Sequence, residues 1–356
     1  MRTKAILSGL MAFAIGSAGA ATIATPASAA EQPVVRKAYF NAAELRAASV
    51  RADRLPATAT KARSRVAEHL NDQARLGRVV DERTVSVASL PDPFTPGRRI
   101  DVVWEGEQAP QSIEIQLAEF ADGSGQMGMG VESGGAPATA IVPTSTGAGY
   151  SAGSNPKNMY KQNNGCTTTW FDPHYTADRD HKMVSCWEWW AQPSTVHWVY
   201  NRWMLWTPAV PKFGLYKTTD LYAASRPWAG YESRLPKLND WSPRYLNATC
   251  YTAGTFTLSG TYGGVTGEVS VPYNKCEDYW LDINTTSRKI GIDYQLDDTT
   301  WNGRTGQMYM DVAGDFNASN STVVPIMADY NWATVANQFV QGTWQKQHWV
   351  QKDSGW

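Results

Sequence analysis

Ser112-Ile-Glu-Ile-Gln-Leu117 alternates polar and apolar side chains without a break, so in an extended chain Ile113, Ile115 and Leu117 share one face. The same period of two recurs in Gly254-Thr-Phe-Thr-Leu258, Gly267-Glu-Val-Ser-Val271, Lys289-Ile-Gly-Ile-Asp-Tyr294 and Met308-Tyr-Met-Asp-Val312. Turn-forming residues punctuate these runs at Ala121-Asp-Gly-Ser-Gly125, Tyr262-Gly-Gly264 and Asn302-Gly303. Many short strands with frequent turns predict a mainly β chain, folded as an antiparallel β-sandwich or a barrel-like domain. The stretch from Gly134 to Gly165 is rich in Gly, Ser, Thr, Pro and Asn and reads as a long loop or linker.

Upstream of this region the composition changes. All 16 tryptophans lie at Trp104 or beyond. Between Arg36 and Arg83 eleven basic side chains face six acidic ones, whereas from Thr84 onward nineteen basic face twenty-six acidic, so the two regions carry opposite net charge. Asn41 stands three residues before Glu44, the spacing of a capping box, and Leu45, Ala48, Ala52 and Leu55 fall on one helical face before Pro56. A second helix is expected from Thr60 to Leu76, stopped by Gly77. Both stripes are thin and alanine-rich, too weak to hold a helix alone. The expected organisation is therefore a basic helical appendage or propeptide over 30–92, ahead of a tryptophan-rich β domain over 93–356.

The first residues carry Arg2 and Lys4, an apolar core from Ala5 to Ile15 and the small-residue exit Pro26-Ala-Ser-Ala-Ala30. That order predicts a secretory signal peptide over 1–29 and an extracellular mature protein. Its apolar core is shorter than the roughly 20 residues needed to span a bilayer, and no later stretch is long enough, so no membrane span is expected in the mature chain. Without Arg2 and Lys4 the chain has 30 basic against 33 acidic side chains. No overall basic field exists to attract nucleic acid.

Cys166, Cys186, Cys250 and Cys276 form an even set in a chain sent to an oxidising compartment, and two disulfides are expected. Pairing Cys166 with Cys186 and Cys250 with Cys276 closes the shortest loops, each worth roughly 3 to 4 kcal/mol in the chain-entropy account.

Several patterns bear on chemistry. Gly149-Tyr-Ser-Ala-Gly153 has the spacing of a nucleophile elbow but lacks the strand before and helix after that the elbow needs. His174, Asp178, Asp180 and His181 gather imidazole and carboxylate within ten residues and are the candidate metal ligands. No phosphate-binding loop occurs and no cofactor is implied. A glycoside hydrolase needs two facing carboxylates, and among the acids after Thr84 residues such as Asp178, Glu188 and Asp293 cannot be told apart.

The strongest compositional signal is aromatic. Strand geometry puts Trp187 with Trp189, and Trp198, Tyr200, Met204 and Trp206 together, on single faces of neighbouring strands. Trp187, Trp189, Trp198, Tyr200 and Trp206 are the candidate ligand-binding residues, since indoles stack well on sugar faces as well as in cores. The expected function is that of a secreted, non-catalytic protein that recognises carbohydrate or a cell-envelope polymer. The alternative is a secreted hydrolase, which a proprotein form would suit, with chemistry near Asp178, Asp180 and His181 that shows itself as a bound metal or a pH-dependent activity.

Overall fold

The period-two runs all become strands. Along the chain the elements are β1 (Val34–Asn41), α1 (Ala42–Ala47), β2 (Ser49–Arg51), α2 (Thr60–Arg75), β3 (Val85–Pro91), β4 (Arg99–Glu105), β5 (Ser112–Glu119) and β6 (Gly125–Gly134). Next come β7 (Tyr160–Phe171), β8 (His181–Ala191), β9 (His197–Thr207), β10 (Leu215–Pro227), β11 (Lys237–Ser242) and β12 (Tyr251–Tyr262). The series ends with β13 (Val265–Lys275), β14 (Tyr279–Leu281), β15 (Ile290–Gln295), β16 (Met308–Asn317) and β17 (Met327–Gln338). This is a computed structural model, and it describes residues 34–75, 78–119, 125–134, 159–171, 180–192, 195–209, 215–242, 251–262, 265–275, 279–295, 306–321 and 323–338.

Two antiparallel sheets carry the fold. One has seven strands in the order β1-β5-β6-β17-β10-β15-β14, and the other has eight in the order β11-β16-β9-β8-β7-β4-β3-β2. Ile113, Ile115, Leu117, Met127 and Met129 of the first share a single core cluster with Val102, Trp198, Tyr200, Met204 and Trp206 of the second. The sheets are also tied across the core by Trp206 Nε1, which donates to Thr218 Oγ1 at 2.9 Å, and by Tyr200 Oη, which donates to Asp329 at 2.7 Å. The architecture is a sandwich. A separate ribbon of β12 and β13 packs against β9 and β16 without joining either sheet.

The stretch before residue 92 differs from the expected helical appendage. Asn41 does cap α1, accepting from the Ala43 and Glu44 amides while Glu44 bonds back to the Asn41 amide. The helix nevertheless ends at Ala47, because Ser49–Arg51 extends and pairs with Ser86–Ala88 of β3 as an edge of the eight-stranded sheet. Sheet pairing outweighs the weak local stripe. β1 likewise pairs along its whole length with β5, at the edge of the seven-stranded sheet. Residues 34–92 therefore contribute strands to both sheets and belong to the same compact unit as the rest, Pro33–Trp356.

α2 lies on the outer face of the eight-stranded sheet. Its Val66 packs with Val85, Val87, Val103 and Trp170. Around this contact, Lys182 Nζ reaches Glu68 at 2.9 Å and Asp72 at 2.7 Å, and Arg65 pairs with Asp101 and Asp180 while its guanidinium lies 4.9 Å from the Trp170 ring centre. His69 Nδ1 lies 2.8 Å from Thr168 Oγ1, and Arg78 Nη2 lies 2.7 Å from Glu105. Burial alone would raise the proton affinities of Asp101 and Glu105. Hydrogen bonds from Ser89 and Lys61 on Asp101, and from His69 and Arg78 on Glu105, outweigh it and hold both carboxyls below their usual range.

Cys166 and Cys186 are directly opposed on β7 and β8 and form a disulfide as expected. Arg78 and Gln73 close over its sulfurs. Cys250 and Cys276 lie outside the described residues, as do the expected signal peptide and the Gly149–Gly153 motif. The expected loop over 134–165 ends sooner than its composition implied, since β7 begins at Tyr160. Gly165 is in that strand because its neighbour needs the room: a Cβ there would sit 2.9 Å from the Trp187 ring. Among the described residues no helix is long and apolar enough to cross a membrane.

Candidate functional site

The tryptophans singled out by composition are core. Trp189, Trp198, Tyr200 and Trp206 are at most 5% exposed, and only Trp187 is half-buried, packed against the same cluster. Their rings serve one another: Trp189 meets Trp198 edge-on at 5.7 Å and Tyr200 at 4.5 Å. Same-face spacing was read correctly, but the face is the one that meets the second sheet. Trp189, Trp198, Tyr200 and Trp206 therefore offer no exposed face, and Trp187 is only partly open.

The expected metal set does not assemble from the residues described. His174 and Asp178 lie outside them. Asp180 is held by Arg65 of α2, whereas His181 is buried, stacks on Trp206 at 5.5 Å and accepts from the Ala209 amide through Nδ1 at 2.8 Å. Adjacent residues entering a strand point to opposite sides, so this pair is split between α2 and the core. Among the described residues no three His, Cys, Asp or Glu side chains are grouped to hold a metal.

A different set of groups converges on the outer face of the seven-stranded sheet. Its register places Tyr39, Glu114, Gly130, Trp332, Tyr222 and Asp293 in one transverse line across β1, β5, β6, β17, β10 and β15. Gly128 and Gly130 leave a trough in β6 that the Trp332 indole fills; a Cβ on Gly130 would lie 2.8 Å from that ring. Trp332 Nε1 donates to Thr334 Oγ1 at 2.8 Å, and Thr334 in turn hydrogen-bonds Asp220. A bulge at Thr219 makes this possible. It lets Thr218 face the core, bonded by Trp206, while Asp220 two residues on faces outward.

At the β10–β15 end the line becomes polar. Tyr222 and Asp293 are half-buried and sit opposite each other in register, and Asp220 lies diagonally from Asp293 on the same face. Tyr222 Oη donates to Asp282 Oδ2 at 2.7 Å, and Lys289 Nζ pairs with the same oxygen at 2.5 Å. Burial, then repulsion from Asp282, pushes the Asp293 carboxyl up to about 6. Burial, then repulsion from Asp293, pushes Asp220 well above the usual carboxylate range. Burial and the neighbouring Asp282 raise the Tyr222 hydroxyl too. The result is an aromatic ring bordered by three carboxyls and one ammonium, with two of the carboxyls retaining protons beyond the normal acid range.

A stability measurement checks the Asp293 environment. Its folded value of about 6 exceeds the ordinary aspartate value of 3.8, so the stabilisation from holding the proton is complete below the unfolded value and is lost as pH rises through about 6. Asp293→Asn removes that loss. The variant should match wild type in urea unfolding at pH 4 and exceed it by about 1 to 2 kcal/mol at pH 8, after allowance for partial solvent screening. Equal stability at both pH values would mean that Asp293 is solvated like a surface acid.

These residues carried little signal in the sequence. Asp293 stood among the acids that could not be ranked, and Asp220, Asp282, Tyr222 and Lys289 come from segments that only the strand order brings together. The one legible sign was Gly125-Gln-Met-Gly-Met-Gly-Val131, where methionines alternate with glycines and imply an outer face stripped of side chains. No protein-family model matches the chain, and no curated protein matches it either.

Proposed function

We propose that this is an exported protein that binds carbohydrate or a cell-envelope polymer through the Tyr222, Asp220, Asp282, Lys289 and Asp293 cluster, in place of the buried tryptophans. The observation that carries the reading is the half-buried Tyr222 ring bordered by Asp282, which accepts from its hydroxyl, and by Asp293, whose carboxyl is pushed up to about 6. Polyhydroxy ligands need an apolar plate with convergent polar groups around it. A carboxyl that keeps its proton can donate to a sugar oxygen, and one that has lost it can accept from a sugar hydroxyl.

The test is retention on cellulose, chitin and purified cell wall at pH 5 and pH 8. Wild type should be retained on at least one, with a change between the two pH values. Tyr222→Ala should lose about tenfold or more in affinity, because a ring contact and a hydrogen bond disappear together. Tyr39→Ala, at the far end of the line, should bind as wild type. If none of the three solids retains the protein, or if Tyr222→Ala binds normally, the proposal fails.

One observation favours a second reading, hydrolysis. Asp220 and Asp293 are diagonal neighbours on adjacent strands, a relation that spans roughly 7 to 8 Å between backbones, with Asp220 raised well above the usual carboxylate range and Asp293 to about 6. An acid and a base with separated proton affinities at such spacing are what glycoside hydrolysis requires. Release of reducing ends from a retained polysaccharide, abolished by Asp220→Asn, would support it. Retention without any release would leave binding alone.

A further inference from the structure

The two sulfurs of the Cys166–Cys186 disulfide have different surroundings. Cross-strand pairing sets Cys166, Cys186, Trp203 and Asp311 in one row over β7, β8, β9 and β16. Trp104 pairs with Thr167, which places Glu105, the next residue of β4, alongside Cys166 at the other end of that row. The Cys166 end is charged. Arg78 Nη1 touches Cys166 Sγ and donates to Glu105 Oε1 at 3.0 Å, while Nη2 donates to Glu105 Oε2 at 2.7 Å and His69 Nε2 lies 3.3 Å from the same carboxyl. The Cys186 end is apolar, packed with Val184 and Trp203. Gln73 lies over both sulfurs, its Oε1 at 3.0 Å from Cys166 Sγ and its Nε2 at 3.7 Å from Cys186 Sγ.

A disulfide exchanges when a thiolate attacks one sulfur and the other leaves, and the sulfur better able to carry negative charge leaves faster. A guanidinium in contact favours the thiolate, whereas apolar burial disfavours it. We propose that this disulfide is a directional redox site, in which an external thiolate attacks Cys186 and Cys166 departs as a thiolate held by Arg78. The incoming sulfur bonds to Cys186 Sγ, the Cys166–Cys186 bond breaks, and its electron pair stays on Cys166 Sγ. The co-reactant is a dithiol. Its second thiol then attacks its own sulfur on Cys186, so that it closes to a disulfide, gives up two electrons in all and passes a proton to Cys186.

The other groups on this face do not reverse the asymmetry. Glu105 tempers the charge of Arg78, yet Arg78 is the one in contact with the sulfur. Along β8, Lys182 is committed to Glu68 and Asp72, and Glu188 is an acid. Asp311 lies beyond Trp203, and burial raises its carboxyl well above the usual range. None of them offers Cys186 a positive charge. Approach points the same way. An attack in line on Cys166 would have to pass the Arg78–Glu105 pair, whereas the line to Cys186 runs from the Trp203 side, where Leu205 and Tyr309 in the next row are only half-buried. Both sulfurs are at most 3% exposed, so exchange also requires the Gln73 end of α2 to lift.

Brief reaction of the folded mature chain with glutathione at pH 8, an acid quench and peptide mapping of the mixed disulfides read the direction. Glutathione should be found on Cys186 about tenfold or more over Cys166, with Cys166 recovered as the free thiol. Dithiothreitol should reduce the bond fully, and its removal in air should restore it. Arg78→Gln should erase the preference, whereas Arg78→Lys, which keeps a cation, should retain most of it. Gln73→Ala should speed reduction without changing which sulfur is attacked. Near-ultraviolet dichroism reports whether each variant is folded, and should Arg78→Gln unfold, the distribution in the wild type still decides. Cys250 and Cys276 fall in other peptides and are scored separately. Glutathione shared equally or found mainly on Cys166 would overturn the proposal. So would a bond that reacts only in urea, which would make it a purely structural staple, or a preference that Arg78→Gln leaves intact.

Discussion

Removal of residues 34–83 is expected to abolish the cooperative unfolding transition of what remains. The cut takes away β1, β2 and α2 together, uncovering the edge of β5, the edge of β3 and the Val85, Val87, Val103 and Trp170 surface under Val66. It also takes away Leu45, which is fully buried in the main core. Loss of one such buried aliphatic side chain costs roughly 2 to 5 kcal/mol. The electrostatic loss is comparable. Glu105 would keep its place in β4 without Arg78 or His69, and Lys182 would lose Glu68 and Asp72. Stranding one member of a buried pair costs roughly 3 to 5 kcal/mol, against a total stability of about 5 to 15 kcal/mol for a typical domain. Thermal unfolding of the truncated chain, followed by tryptophan fluorescence, is the measurement. A retained sharp transition near the wild-type temperature would restore the idea of a removable appendage. Limited proteolysis offers a companion readout: cleavage between Pro56 and Arg83 should be no faster than cleavage in the β strands.

Opposite net charges on two regions imply, on their own, a loose and salt-sensitive docking, and the structure shows a different arrangement. Two basic residues of this region, Arg65 in α2 and Arg78 just after it, do not lie on a solvated surface. Arg65 and Arg78 are directed at particular acids of β4 and the entry to β8, where burial shields them from salt. Composition reports the sum of charges but not their aim.

Strand identity was legible because a period of two over five or six residues has no helical reading. The facing of Trp198, Tyr200 and Trp206 was legible for the same reason. What a face meets was not. Both faces of β8 and β9 are buried, with Trp189 and Trp198 inward and Trp190 and Trp203 outward, so alternation could not separate core from surface. The Asp220, Asp282 and Asp293 cluster was hidden for another reason. It depends on the order β17-β10-β15-β14 and on the bulge at Thr219, and neither is encoded in any local pattern. Ser49–Arg51 failed in the reverse direction: its local pattern is helical, and only the presence of β3 beside it makes it a strand.

Arg202→Met is expected to be among the most destabilising single changes in the chain, by about 3 to 5 kcal/mol at neutral pH. Arg202 is fully buried between the sheets, on the inward side of β9 between Tyr200 and Met204. Its guanidinium donates to Asn331 Oδ1 and to the Tyr330 carbonyl, and Asn331 Nδ2 donates onward to Ser185 Oγ at 2.8 Å. The nearby Asp329 accepts from Tyr200 and Ser225, and its proton affinity is raised by burial and lowered in part by the Arg202 charge. Methionine fills similar volume but returns neither the donors nor the charge. Asp329 then ionises still less readily. A carboxyl raised in the fold contributes stability below its unfolded value and loses it as pH climbs through the folded one, so removing Arg202 lengthens that loss. The penalty of Arg202→Met should therefore be smaller at pH 4, where Asp329 is protonated with or without the arginine, and larger at pH 8. Adding Asp329→Asn to the Arg202→Met variant should recover a large part of the pH 8 deficit, since the unpaired charge is gone, which makes the two changes strongly non-additive. Urea unfolding of the four proteins at both pH values measures the coupling. Additive effects, or a penalty independent of pH, would show that Arg202 acts through its hydrogen bonds to Asn331 and Tyr330 and not through Asp329.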